Sequence, residues 1–390
     1  MYIIDNQEVE AVRRVIESGQ LFRYRGGEGG ETDQFEAEWA ELLGARHALA
    51  VTSGTAALTC ALAGMDIGPG DEVIVPAYTW MATPVAAITL GAIPVIAEVD
   101  ESLTLDPADV ERKITARTKA IMPVHMCGFP CDMDGLMAVA AEHGLVVLED
   151  ACQADGGSYK GKRLGAIGTA GANSFNFFKI ITCGEGGAVV TNDTAVYQKA
   201  LVYHDLGCAF RAHAGDVETP MFIGSNYRMN EILSAILRVQ LSRLDGILDT
   251  LRAEKRMLMG ELSGVSAFSF NPIHDPAGDC ATTLGLLFDT ETEARRFIDG
   301  MKAEGMTVAS PIDSGIHVYS NWTPVLEKRG AHHPARDPFK LCGYDVEYSK
   351  DMCPDTLAYL KRTVYLGTAI NRSGDDLRGL IQTVKKVAGR

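Results

Sequence analysis

The chain has 390 residues, 46% of them apolar and 22% charged, with a formal net charge of −15. That length and composition suit two or three packed domains with a sizeable core. So acidic a surface repels phosphate backbones and anionic lipid, which argues against nucleic acid and membrane as partners, although a local nest of backbone N–H groups still permits a small anionic ligand.

The stretch from Met1 to Gln20 is amphipathic and carries acids, and no apolar run approaches the roughly 20 residues that span a bilayer, so neither a signal peptide nor a membrane helix is expected. Helical spacing runs from Asn6 to Ser18 and from Asp33 to Leu43. Between them, Arg25-Gly26-Gly27-Glu28-Gly29-Gly30 is too glycine-rich for helix or strand. It lacks the strand before and the Lys-Ser/Thr after that a phosphate cradle needs, and it reads as a loop.

From His47 onward short apolar strands alternate with helices. The strands are Ala48–Val51, Glu72–Val75, Ile93–Glu98, Ala120–Val124, Val146–Glu149, Ala172–Phe175 and Ala188–Thr191. Helices are expected at Thr55–Ala63, Met81–Leu90, Asp106–Lys113 and Asp132–His143. This alternation calls for a mostly parallel sheet covered on both faces, with ligands at the carboxyl ends of its strands. A single helical pattern, Glu231 to about Leu262, leads into a smaller C-terminal α/β domain. The nine cysteines are scattered and read as reduced thiols of a cytoplasmic protein. Cys127 and Cys131 have no second pair at zinc spacing, and no metal is expected.

Three segments carry chemistry. At Thr52-Ser53-Gly54-Thr55 a strand ends and a helix begins; the turn either offers N–H groups to a phosphate or merely caps the helix. At Glu149-Asp150-Ala151-Cys152-Gln153 a strand ends in acids, which could bind a ring N–H⁺, a metal or a ribose hydroxyl, or cap the next turn. At Ser174-Phe175-Asn176-Phe177-Phe178-Lys179 a lysine stands among aromatics; it is either desolvated for imine formation or directed to solvent. Anion site, acid and amine in this order, on successive strand ends, are what pyridoxal 5′-phosphate (PLP) requires.

Here the chain resembles the fold-type-I PLP enzymes of the DegT/DnrJ kind, aminotransferases acting on keto-sugars that are usually nucleotide-linked. The likeness rests on Thr52-Ser53-Gly54-Thr55, Glu72-Val73-Ile74-Val75-Pro76, Glu149-Asp150 with Gln153, Ser174-Phe175, Lys179, Gly184-Glu185-Gly186-Gly187 and Asn226-Tyr227-Arg228-Met229-Asn230. Within the family, Val124-His125-Met126-Cys127-Gly128 and Ile181-Thr182-Cys183 are similar to enzymes that aminate an octulosonate. The resemblance implies an α/β fold: a three-layer αβα large domain of the aspartate-aminotransferase-like type over residues 1–250, then a small α/β domain over 251–390.

It also implies roles. Gly54, Thr55 and Ser174 would bind the PLP phosphate, and Trp80 would stack on the ring, unless it is a core aromatic. Asp150 would pair with the ring nitrogen, Gln153 with the phenolic oxygen, and Lys179 would form the aldimine and shuttle the proton. Asn226 would reach the phosphate of a neighbouring subunit, which requires a homodimer, unless it only serves the start of the next helix. Glutamate or glutamine would be the donor and a keto-sugar the acceptor, in ping-pong order. Arg228, His204 and Arg211 are candidates for an anionic substrate group. The segment holding His317 and Tyr319 either faces the substrate or packs a loop.

The chain departs from the family at Cys127, at Asp155 and at Leu366-Gly367. A PLP-dependent lyase or dehydratase is the rival enzyme, but the sugar dehydratases that resemble this family carry histidine at the Lys179 position. A non-catalytic PLP-binding regulator would need a fused interaction module, and none is visible.

Overall fold

The computed structural model describes residues 2–24, 29–207 and 217–389. Seven strands form the central sheet: β1 His47–Val51, β2 Glu72–Pro76, β3 Ile93–Ala97, β4 Thr118–Ile121, β5 Val146–Asp150, β8 Ala170–Ser174 and β9 Gly187–Thr191. A small hairpin, β6 Ser158–Tyr159 and β7 Lys162–Arg163, lies between β5 and β8. The spatial order is β1-β9-β8-β5-β4-β2-β3. The pairs from β8 through β5, β4 and β2 to β3 are parallel, and β9 runs antiparallel to both its neighbours. All seven strands expected from the sequence are in this sheet, with ends that coincide or shift by at most three residues.

Helices cover both faces, giving the three layers. On one side Phe35, Trp39, Val110, Leu136 and Leu237 pack with Ile74, Val147 and Val190. On the other, Leu58, Ala86 and Ala200 pack with Leu49, Val75 and Leu148. Strands buried on both faces read as near-continuous apolar runs, which is why they were visible in the sequence.

The helix Glu31–Leu43 begins two residues before Asp33. The Glu231 carboxylate accepts from the N–H groups of Glu31 and Thr32, capping the helix from far along the chain. The long helical pattern after Asn230 is two helices, Glu231–Leu241 and Leu244–Leu262. The break has no glycine or proline. At it, the Arg243 guanidinium bonds the Ile3 carbonyl at 2.6 Å and pairs with Asp5 at 2.9 Å.

The second of these helices passes from one core to another: Leu248 and Leu251 lie under the large sheet, Leu258 and Leu262 in the C-terminal core. That core surrounds a three-stranded antiparallel sheet, β10 Ser269–Phe270, β11 Thr283–Leu287 and β12 Thr363–Gly367, and buries Phe297, Met301 and Val384 from its helices. A strap between β11 and β12 returns to the large sheet, where Tyr319, Trp322, Val325 and Cys353 join the core beside Val73 and Ile96. This strap carries part of the site.

Candidate active site

The turn after β1 is built by its cap. Ser53 precedes the helix Gly54–Gly64, and its hydroxyl accepts from the Ala56 N–H at 3.1 Å. The N–H groups of Gly54 and Thr55 come too early in the helix for an intrahelical acceptor, and they sit at the positive end of its dipole. Glycine is required at 54. A β-carbon there would lie 2.8 Å from Cys152 Sγ and 2.8 Å from Ser174 Cβ. The ends of β1, β5 and β8 therefore meet at one point. A β-carbon on Gly187 would likewise overlap the Ser53 carbonyl, which accounts for the small residue where β9 begins.

Neighbouring residues on a strand point to opposite faces, and Glu149 and Asp150 divide accordingly. Glu149 is fully buried. It accepts from the N–H groups of Gly165 (2.9 Å), Ile167 (2.6 Å) and Gly168 (2.7 Å), and from His125 Nε2 at 3.1 Å. The Cys131 N–H donates to His125 Nδ1, so Nε2 carries the ring proton. Glu149 is thus a structural anchor. Asp150 turns to the other side, where Thr83 Oγ1 donates to Oδ2 at 2.8 Å and the Cys152 N–H to Oδ1 at 3.2 Å. Thr79 Oγ1 lies 2.8 Å from Thr83 Oγ1 and extends this chain.

Lys179 lies on the loop joining β8 to β9 and is half-buried. Its charge acts on Cys152, Asp155 and His317. The Cys152 thiol, pushed well up by burial, feels Asp150 and Lys179 together. Lys179 was expected among shielding aromatics, but in this chain Phe177 is 59% and Phe178 76% exposed. Among the described residues nothing buries those rings.

Trp80 is 45% exposed, so it is not a core aromatic. Its ring centroid is 4.9 Å from that of His317, tilted by 55°. The His317 carbonyl accepts from the Thr79 N–H at 2.9 Å, which fixes the strap against the end of β2. Burial and the Lys179 charge hold the His317 imidazole below its usual value, while the Ser314 carbonyl on Nδ1 opposes them. Gln153 accepts from the Cys127 N–H at 3.0 Å through Oε1, which leaves its NH₂ as a donor. Ser174 is buried beside Gly54.

Other expected residues lie elsewhere. Tyr319 is fully buried; its hydroxyl donates to the Lys350 carbonyl at 2.8 Å and accepts from the Cys353 N–H at 2.9 Å, so it packs the strap and does not face a substrate. His204 is also fully buried, against the Leu201 carbonyl at 2.7 Å. Arg228 is committed to buried Asp205 and lies over the Phe22 ring. It is not a free cation for a substrate anion. Asn226 is exposed, and its Oδ1 accepts from the Arg228 N–H at 3.3 Å. Arg211 and residues 25–28 of the glycine-rich loop lie outside the described residues. Sequence reasoning missed Thr83, whose only signal is its place in the helix that follows Trp80.

The donor set fits PLP: a helix N-terminus cradled by a glycine for the phosphate, a buried acid already holding two donors, and an amine on the adjacent loop. A pattern described as the DegT/DnrJ/EryC1/StrS aminotransferase family matches residues 2–331. A 3-amino-5-hydroxybenzoate synthase of Amycolatopsis mediterranei (strain S699) is 43% identical over 263 residues, 67% of this chain and 66% of that protein. A dTDP-3-amino-3,4,6-trideoxy-alpha-D-glucose transaminase of Streptomyces venezuelae is 40% identical over 291 residues, 73% of this chain and 72% of that protein. The crystal structure of a 3-amino-5-hydroxybenzoic acid synthase superposes with a TM-score of 0.83 at 32% identity, covering 100% of this chain and 98% of that one.

Proposed function

We propose a reaction from one premise: the chain belongs to the DegT/DnrJ/EryC1/StrS aminotransferase family, and it is a fold-type-I, PLP-dependent aminotransferase. It takes an amino group from glutamate or glutamine and places it on the keto or aldehyde carbon of a sugar, nucleotide-linked or an octulosonate. Support for the sugar comes from the Streptomyces venezuelae relative, named for an aminated dTDP-sugar.

Bound PLP supplies an aldehyde that carries the amino group and a ring that accepts electrons. The chain does the rest. The N–H groups of Gly54 and Thr55 and the Ser174 hydroxyl would hold the phosphate. The Asp150 carboxylate, fixed by Thr83 and the Cys152 N–H, would hold a proton on the ring nitrogen. The Gln153 NH₂ would donate to the phenolic oxygen, and Trp80 would cover the ring. Lys179 would be the amine for the aldehyde and the base that moves a proton at the substrate carbon. His317, kept neutral beside Trp80, contacts the acceptor.

The active unit is a homodimer in which Asn226 reaches the partner's phosphate. The exposed and mutually packed Phe177 and Phe178 support this, as do the exposed Met221 and Ile223, since large apolar side chains left open call for cover. Among the described residues no helix is long and apolar enough to cross a membrane. We place the reaction in the cytoplasm, for which eight described cysteines that are all free thiols are the support.

One observation carries the reading: the Gly54 turn after β1, Cys152 after Asp150 and Ser174 before Lys179 crowd one point at the strand ends. The test is a half-reaction. Glutamate or glutamine should abolish the visible band of the bound cofactor and release the keto acid, and a dTDP-linked keto-sugar or an octulosonate aldehyde should restore it. A band that neither donor changes would remove aminotransfer from these amino acids.

A further inference from the structure

Two residues with β-carbons hold a left-handed backbone on facing segments: Cys127, in the turn at Met126–Gly128, with φ 54°, and Ala281, just before β11, with φ 58°. Cys280 and Ala281 belong to the large core and Leu284 to the C-terminal one, so the segments meet where the two cores join. Such a conformation persists only where neighbours hold it, and it gathers at functional sites. Here the segments hold each other. The Cys280 N–H donates to the Gly128 carbonyl at 3.1 Å, and Thr282 Oγ1 donates to the Cys127 carbonyl at 2.6 Å. A β-carbon on Gly128 would lie 2.6 Å from that of Cys280, so the approach leaves no room for a side chain there.

The other backbone group of Cys127 points to the site. Its N–H donates to Gln153 Oε1 at 3.0 Å, which turns the Gln153 NH₂ away to serve as a donor. Thr282 is itself held from the end of β12. The Thr368 N–H donates to the Thr282 carbonyl at 3.2 Å, and Thr368 Oγ1 donates to the Ala281 carbonyl at 2.6 Å. Hydrogen bonds and backbone therefore run without a gap from Thr368 through Thr282 and Cys127 to Gln153.

We propose that Thr282 is a positioning residue for the cofactor's phenolic oxygen: its hydroxyl keeps Cys127 in the left-handed turn that aims the Cys127 N–H at Gln153, and so decides which end of the Gln153 amide faces the cofactor. Without that hydroxyl the turn relaxes and Gln153 Oε1 loses its donor. The amide is then free to rotate, and a rotated amide sets oxygen against oxygen. This role rests on the reading that Gln153 meets the phenolic oxygen.

The test reads the pH at which the visible band of the bound cofactor titrates, in the wild type, Gln153→Leu, Thr282→Val, Thr282→Ser and the double variant Gln153→Leu/Thr282→Val. A donor on the phenolic oxygen favours its anionic form, so losing the donor raises that pH. The expected rise is about one unit in Gln153→Leu and about half of that in Thr282→Val. Thr282→Ser should match the wild type, and the double variant should match Gln153→Leu alone. No variant adds or removes a charge. Asp150, Lys179 and His317 remain in the site, and the Lys255–Asp279 pair remains beside Cys127, so a moved midpoint reports the hydrogen bond. In the apoprotein, hydrogen exchange of the Cys127 amide should quicken about tenfold in Thr282→Val. A Thr282→Val midpoint equal to the wild type while that of Gln153→Leu has moved overturns the proposal. So does a Thr282→Val effect that persists in full in the double variant, or unchanged exchange at Cys127. A Gln153→Leu midpoint equal to the wild type instead overturns the Gln153 reading, and this inference with it. Should Thr282→Val fail to fold, Thr282→Ala removes the same bond and is read the same way.

Discussion

Thr83 Oγ1 donates to Asp150 Oδ2 at 2.8 Å, and both side chains are buried. The acid proposed for the cofactor's ring proton is thereby kept in one rotamer by the helix that follows β2. Thr83→Val preserves shape and removes the donor, leaving a buried carboxylate short of a partner at about 1–3 kcal/mol. We expect the donor half-reaction to slow by roughly tenfold to a hundredfold, while Thr83→Ser stays near wild type. Stopped-flow absorbance of the cofactor measures both. Equal rates in Thr83→Val and wild type would remove Thr83 from the account.

Gly54 is where three strand ends meet, and alanine there would press its β-carbon on Cys152 Sγ and Ser174 Cβ at 2.8 Å each. Cys152 Sγ could turn aside, but Ser174 Cβ moves only with its backbone. Such overpacking costs about 1–3 kcal/mol, and here it displaces the turn proposed to hold the phosphate. Gly54→Ala should weaken cofactor binding by about tenfold or more and lower the melting temperature. Unchanged affinity, measured by equilibrium dialysis, would mean the phosphate is held elsewhere.

The half-buried His317 gives the stability a sign with pH. Its folded value is lowered from that of an ordinary histidine by burial and by the Lys179 charge. As pH falls below the ordinary value the unfolded chain takes up a proton that the folded chain refuses, so the fold loses stability toward acid. His317→Gln should therefore be relatively more stable at pH 5.5 than at pH 8, compared with the wild type at each pH. A difference in melting temperature independent of pH would contradict the assignment.

If Asn226 completes the partner's site, two inactive variants should rescue each other. Lys179→Ala and Asn226→Ala homodimers, dissociated, mixed and reassembled, form a heterodimer with one intact site. Activity should return on mixing. No recovery, with heterodimers verified by native mass spectrometry, would place Asn226 in its own chain's site or in none.

What the sequence made legible was local. Most of the strands announce themselves as apolar runs; the turn at Ser53 and Gly54 follows one, Asp150 ends another, and Lys179 lies on the loop after a third. What it concealed was made by distant partners. Glu231 caps a helix that starts at Glu31, and Arg243 breaks a helix by turning to the N-terminal segment. Tyr319 looks like a surface aromatic beside His317, yet its hydroxyl is spent on Lys350 and Cys353. Arg228 looks available in the sequence, yet its guanidinium pairs with the buried Asp205. Thr83 had no motif of its own; the register of β2 against β4, and of β4 against β5, brings it over Asp150.

The central claim is that Lys179 carries the cofactor. Reduction of the holoenzyme with borohydride, digestion and mass mapping of the pyridoxyl group reads this directly. The account predicts the label on Lys179, and on Lys179 alone. A label on any other lysine, or its persistence in Lys179→Ala, would contradict it.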